Sequence, residues 1–138
     1  MPVPSVLGAL NRGYVLRAVL ENIAFALRAN LEQIESITGK PVVSLSLCGG
    51  LTRTKAFSQI VADVLNRPIK AALPDASAQG AAMAGATAAG LYRSLGEAVG
   101  VLGQPQHCLE PTRLTGLYTE RYREWCAIES LMSRASEV

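Results

Sequence analysis

The stretch Val42-Val43-Ser44-Leu45-Ser46-Leu47-Cys48-Gly49-Gly50-Leu51-Thr52-Arg53-Thr54 changes its period halfway along. In the first half Val43, Leu45 and Leu47 share one face while Ser44 and Ser46 take the other, the two-residue alternation of a strand. Cys48-Gly49-Gly50 then breaks the alternation, and Thr52 or Thr54 can cap a helix whose apolar stripe is Phe57, Ile60, Val61, Val64 and Leu65. A strand that passes through a glycine turn into an amphipathic helix is a building unit of α/β folds.

Upstream, Leu16, Leu20, Ile23, Leu27, Leu31 and Ile34 recur at steps of three and four, which predicts one long helix over Tyr14 to Ile37. Gly39 suits the left-handed position after its last turn and Pro41 prevents continuation. Arg17, four residues before Glu21, is the expected partner of that charge near the buried stripe.

Downstream, Pro68 forces an extended exit near Asn66, and Ile69 to Leu73 reads as a second short strand. A third helix follows with Asp75 or Ser77 as its cap, rich in alanine and interrupted by Gly80, Gly85 and Gly90. Interior glycines cost about 1 kcal/mol each relative to alanine, so close backbone approach is the expected reason for them. After Leu91 the period fades into a Gly- and Pro-rich connection that reads as irregular. A final helix from about Thr115 carries the stripe Tyr118, Tyr122, Trp125, Ile128 and Met132, expected to dock as packing surface.

The order helix, strand, helix, strand, helix plus C-terminal helix implies parallel strands joined by right-handed crossovers. Two strands make an incomplete sheet, because parallel strands are normally flanked on both sides. The expectation is that strands preceding Met1 belong with them.

At 138 residues the chain fits a single domain, and 49% apolar with 17% charged residues marks a globular composition. A net charge of +2, with basic residues scattered, gives no nucleic-acid footprint. Cys48, Cys108 and Cys126 form no C-x-x-C pair, which fits reduced thiols in the cytoplasm. The start lacks a basic signal region, and no apolar run reaches the roughly twenty residues that a bilayer requires, so no membrane partner is expected.

Chemistry concentrates at the glycine turn. Glycines let a ligand approach the backbone, and the free amides of a helix start favour phosphate, so the turn either holds a nucleotide or only turns a corner. Lys55 is not a P-loop lysine, because Thr54 stands where that motif needs glycine. His107, beside Cys108, reads as a loop histidine with no ligand spacing around it. Asp63 reads as a polar helix residue and Asp75 as a cap, leaving no catalytic and no metal-ligating residue to assign.

Three ordered motifs carry a family resemblance. They are Arg17-Ala18-Val19-Leu20-Glu21-Asn22-Ile23-Ala24-Phe25-Ala26-Leu27-Arg28, then Leu47-Cys48-Gly49-Gly50 leading into Gln59 to Ile69, then Gly80-Ala81-Ala82. Together they resemble the C-terminal domain of the FGGY carbohydrate kinases.

The resemblance implies an incomplete ribonuclease-H-like (actin-like ATPase) lobe. Residues 11–92 would hold the family core, with an irregular connection and a C-terminal helix over 93–138. It also implies ATP or ADP with magnesium, and phosphotransfer to an alcohol group of a sugar or polyol. By position, Gly49 and Gly50 would line the nucleotide, Leu51 would lie beside it, and Thr54 falls where some members carry an adenine-contacting asparagine. The catalytic aspartate, the sugar pocket and the second phosphate loop would belong to an amino-terminal kinase lobe preceding Met1, so this chain alone would be inactive and bind nucleotide weakly or not at all. The alternative expectation is a non-catalytic interaction module that forms a homo-oligomer through exposed strand edges or complements a separate amino-terminal lobe.

Overall fold

The computed structural model describes residues 11–71, 75–102 and 107–135. Asn11 opens α1 (Arg12–Thr38): its side-chain oxygen accepts a hydrogen bond from the Gly13 amide at 3.0 Å. Gly39, at φ 64°, closes the helix with its amide on the Glu35 carbonyl at 2.9 Å, the left-handed stop that the sequence predicts.

The first strand, β1 (Leu45–Leu47), is shorter than the run from Val42 suggests. Side chains intercept the backbone first. The Val42 amide donates to Glu35 Oε1 at 2.6 Å, and its carbonyl accepts from Arg67 Nη1 at 3.0 Å. A 3-10 turn (Gly50–Arg53) leads into α2 (Lys55–Leu65), which Asn66 ends in the left-handed conformation at φ 50°. Then come β2 (Ile69–Ala71) and α3 (Ala76–Ala88); the rest of the strand expected to reach Leu73 lies outside the described residues.

The stretch after Leu91 is not irregular. It contains α4 (Leu95–Leu102) and β3 (His107–Leu109) before α5 (Thr115–Ala135). Ser94 Oγ accepts from the Glu97 amide at 3.2 Å and Glu97 reaches back to the Arg93 amide at 2.7 Å, a local capping exchange that starts α4. Among the described residues the sheet therefore has three strands, in the order β1-β2-β3, rather than two. β1 pairs parallel with β2 (Leu45 opposite Ile69, Leu47 opposite Ala71), and β3 runs antiparallel to β2 (Leu109 opposite Ile69).

The core lies where α1, α2 and α5 meet the sheet: Ala24 and Phe25, then Phe57, Val61, Ala62 and Val64, then Ile69, then Tyr118 and Tyr122. Phe25 is its aromatic hub, 6.3 Å from the Tyr118 ring at 65°, 6.0 Å from Tyr122 and 6.1 Å from Trp125. Only the first part of the expected α5 stripe docks: Tyr118 and Tyr122 are buried, whereas Ile128 and Met132 stay exposed. Leu16 and Ile34, at the two ends of the α1 stripe, are exposed as well.

Polar side chains fasten these layers. Arg17 Nε donates to Glu21 Oε1 at 2.8 Å as the spacing predicts, and Tyr118 Oη and Arg121 Nη1 converge on the same buried carboxylate at 3.1 Å and 3.2 Å. Burial, ahead of the neighbouring Glu21, pushes the Tyr118 phenol above its usual range. The glycines of α3 correct one expectation: a Cβ at Gly80 or Gly85 would meet nothing within 4 Å, so no close backbone approach among the described residues explains them.

Candidate functional site

Because β1 and β2 are parallel, their carboxyl ends open on the same edge of the sheet, where ligands of open α/β sheets bind. The chain leaves β1 through Cys48 and Gly49, and Gly49 sits at φ 106°, ψ 177°. That region is essentially restricted to glycine. The Gly49 carbonyl is fixed by two donors, the Thr52 amide at 3.1 Å and Thr52 Oγ1 at 2.7 Å. The Thr54 amide then reaches the Leu51 carbonyl at 3.1 Å, and α2 begins with the Phe57 amide on the Thr54 carbonyl at 2.9 Å.

The four residues singled out in the sequence are thus brought into one turn. A Cβ at Gly49 or Gly50 would meet nothing within 4 Å among the described residues, so none of them closes the ground in front of the turn. Leu51 is 48% exposed beside it. Thr54 takes the cap position of α2 by its backbone, and its side chain makes no capping bond. An accessible main chain, a small apolar surface and a threonine hydroxyl suit a nucleoside better than a metal ion. No group of three or more His, Cys, Asp or Glu side chains that could hold a metal occurs among the described residues.

One pair escaped the sequence reading. Asp75 occupies the cap position of α3 without capping it, and accepts instead from Arg53 Nη2 at 3.3 Å. This contact links the turn after β1 to the start of the helix after β2. The signal was two opposite charges in successive strand-to-helix connections, which parallel neighbours bring close together.

The remaining candidates fall elsewhere. Asp63 is buried and holds the Thr112 amide at 2.5 Å and Gln59 Nε2 at 3.3 Å, pinning the β3–α5 connection to α2. His107 is an exposed residue of β3 opposite Ala71, not a loop residue. Cys48, Cys108 and Cys126 are free thiols. No helix of the described residues is long and apolar enough to cross a membrane.

The fold is an α/β lobe with a glycine turn at the carboxyl end of its parallel strands, and comparison with known proteins gives it a family. Residues 10–89 match the FGGY family of carbohydrate kinases, C-terminal domain, and the chain belongs to that family. Among curated relatives, the glycerol kinase of Paenarthrobacter aurescens is 35% identical over 88 residues, 63% of this chain and 18% of that protein. The autoinducer-2 kinase of Yersinia pestis is 37% identical over 86 residues, 62% of this chain and 16% of that protein. Xylulose kinase from Rhodospirillum rubrum superposes with a TM-score of 0.74 at 25% identity, covering 94% of this chain and 27% of that one. Plasmodium falciparum glycerol kinase, solved with ADP, superposes at 0.67 and 25% identity, covering 88% of this chain and 25% of that one. The fold is the actin-like ATPase fold of these kinases. The chain spans less than a fifth of the length of the curated relatives it matches.

Proposed function

We propose that this chain forms the adenine-nucleotide side of an ATP-dependent cytoplasmic kinase that phosphorylates an alcohol group of a sugar or polyol. The observation that carries the reading is the Gly49-Gly50 turn at the carboxyl end of β1, with Gly49 held in a glycine-only conformation and no described residue filling the ground before it. In this reading Gly49 and Gly50 let the nucleotide lie against the main chain. Leu51 covers one side of the base, and the Thr54 hydroxyl offers it a hydrogen bond.

Magnesium neutralises charge on the transferring phosphates in such reactions. We assign it no ligand in this chain. The acceptor pocket, the general base and the remaining phosphate contacts are proposed to come from an amino-terminal lobe, joined along the outer edge of β1, which pairs with no strand among the described residues. One wall of a cleft buries too little of a ligand for tight binding. The 138 residues alone are therefore expected to bind ADP weakly and to transfer no phosphate.

Titration calorimetry with ADP and magnesium tests the first expectation, and a micromolar site in the chain alone would overturn the one-wall argument. Mixing the chain with the amino-terminal lobe of an FGGY kinase tests the second. Sugar-dependent ATP turnover that appears only in the mixture supports the reading, and turnover by this chain alone overturns it.

A further inference from the structure

We infer that Arg53 is a phosphate-binding residue of the nucleotide site and that Asp75 competes with the nucleotide for it; this rests on the reading of the Gly49-Gly50 turn given above. Arg53 ends the 3-10 turn that Gly50 begins, so the turn that would hold the nucleoside also carries a cation. Its guanidinium reaches to the start of α3 and meets Asp75 Oδ1 at 3.3 Å, with the two side chains 66% and 70% exposed.

The other arginines in ion pairs are tied down further. Arg17 also donates to Tyr118 Oη at 3.0 Å, and Arg67 to the Val42 carbonyl at 3.0 Å. Arg28 donates to the Val64 carbonyl at 3.1 Å and lies 4.2 Å over the Tyr122 ring. Arg121 spans both oxygens of Glu21. Arg53 has the single long contact among the described residues.

An exposed ion pair of this kind contributes little to stability and is readily exchanged. A nucleoside diphosphate offers several charged oxygens in the geometry that a guanidinium binds with two parallel hydrogen bonds, a stronger contact than one long bond to a carboxylate. Asp75 has the opposite effect: it occupies the guanidinium, and its own charge repels an arriving phosphate.

A purely structural pair and a competing pair predict different signs. If the contact only fastens two turns, Arg53→Gln and Asp75→Asn act alike. If Asp75 competes with phosphate, they act in opposite directions.

The test follows the amides of Gly49 to Thr54 by nuclear magnetic resonance while the whole chain is titrated with ADP and, separately, with adenosine. Arg53→Gln is expected to weaken ADP about five-fold and leave adenosine unchanged, while Asp75→Asn tightens ADP about three-fold. Both side chains are exposed, and an unchanged thermal midpoint verifies that each variant folds. The inference is overturned if both variants shift ADP affinity in the same direction, if neither shifts it, or if Arg53→Gln weakens adenosine as much as ADP. Binding of adenosine and ADP to wild type with equal affinity also overturns it while leaving the turn assignment intact. Failure of both ligands to move these amides overturns the turn assignment, and this inference with it.

Discussion

Arg67 grips Glu35 with both terminal nitrogens, Nη1 to Oε1 at 2.5 Å and Nη2 to Oε2 at 3.1 Å. The same two side chains hold the amide and carbonyl of Val42, so one ion pair anchors the end of α1, the exit of α2 and the approach to β1. Arg67, followed by the Val42 amide, holds the Glu35 carboxyl below the usual carboxylate range.

A depressed acid pKa gives stability that is fully present above the unfolded value and is lost as pH falls through the folded one. Wild type should therefore exceed Glu35→Gln in urea midpoint at pH 7, and the gap should shrink as pH drops below about 4.3. Urea titrations at pH 7, 5 and 3 measure it. A gap that stays constant across that range would show that the charge on Glu35 does not matter.

The glycine turn separates backbone strain from ligand contact. Gly49→Ala places a Cβ at φ 106° and should cost about 1–3 kcal/mol of stability. Gly50→Ala meets no atom of the described residues within 4 Å and should stay within about 0.5 kcal/mol of wild type. If the nucleotide lies on the turn, Gly50→Ala nevertheless weakens ADP binding several-fold. Thermal unfolding and ADP titration of the two variants give both comparisons.

Phe25 touches three aromatic rings of α5 from its place in α1. Phe25→Ala should cost about 3–5 kcal/mol, a large share of the stability that a small domain has to lose. Ile128→Ser, on the part of α5 that leaves the core, should change stability by less than about 0.5 kcal/mol. Chemical denaturation of the pair would show whether the helix docks by its first half alone.

Ser58 faces the core of α2 with its Oγ buried and without a hydrogen-bond partner among the described residues. A buried hydroxyl in that state is a liability, and Ser58→Ala should raise stability by about 1 kcal/mol. A loss of similar size would show that the hydroxyl is hydrogen-bonded in solution.

The elements with long, regular signals were legible in the sequence. α1 and α2 follow from their apolar periods, and Gly39 and Asn66 stop them as left-handed residues. The Arg17–Glu21 pair follows from helix spacing alone. β3 was not legible, because three residues cannot show an alternation and its pairing with β2 is made at long range. Gly96 and Gly100 obscured the period of α4, although Ser94 and Glu97 carried its start signal. At the site, the glycine turn could be read from Leu47 to Thr54. The Arg53–Asp75 link could not, since it depends on two connections placed side by side by strand order.

The Trp125 indole, the chain's single tryptophan, donates to Asn22 Oδ1 at 2.7 Å and stacks on Tyr122 at 6.0 Å with 13° between the rings. It is an intrinsic optical probe placed at the seam between the first and last helices. Its emission should shift when that seam opens, before the circular dichroism of the remaining helices changes, so detachment of the tail can be timed without attaching a dye.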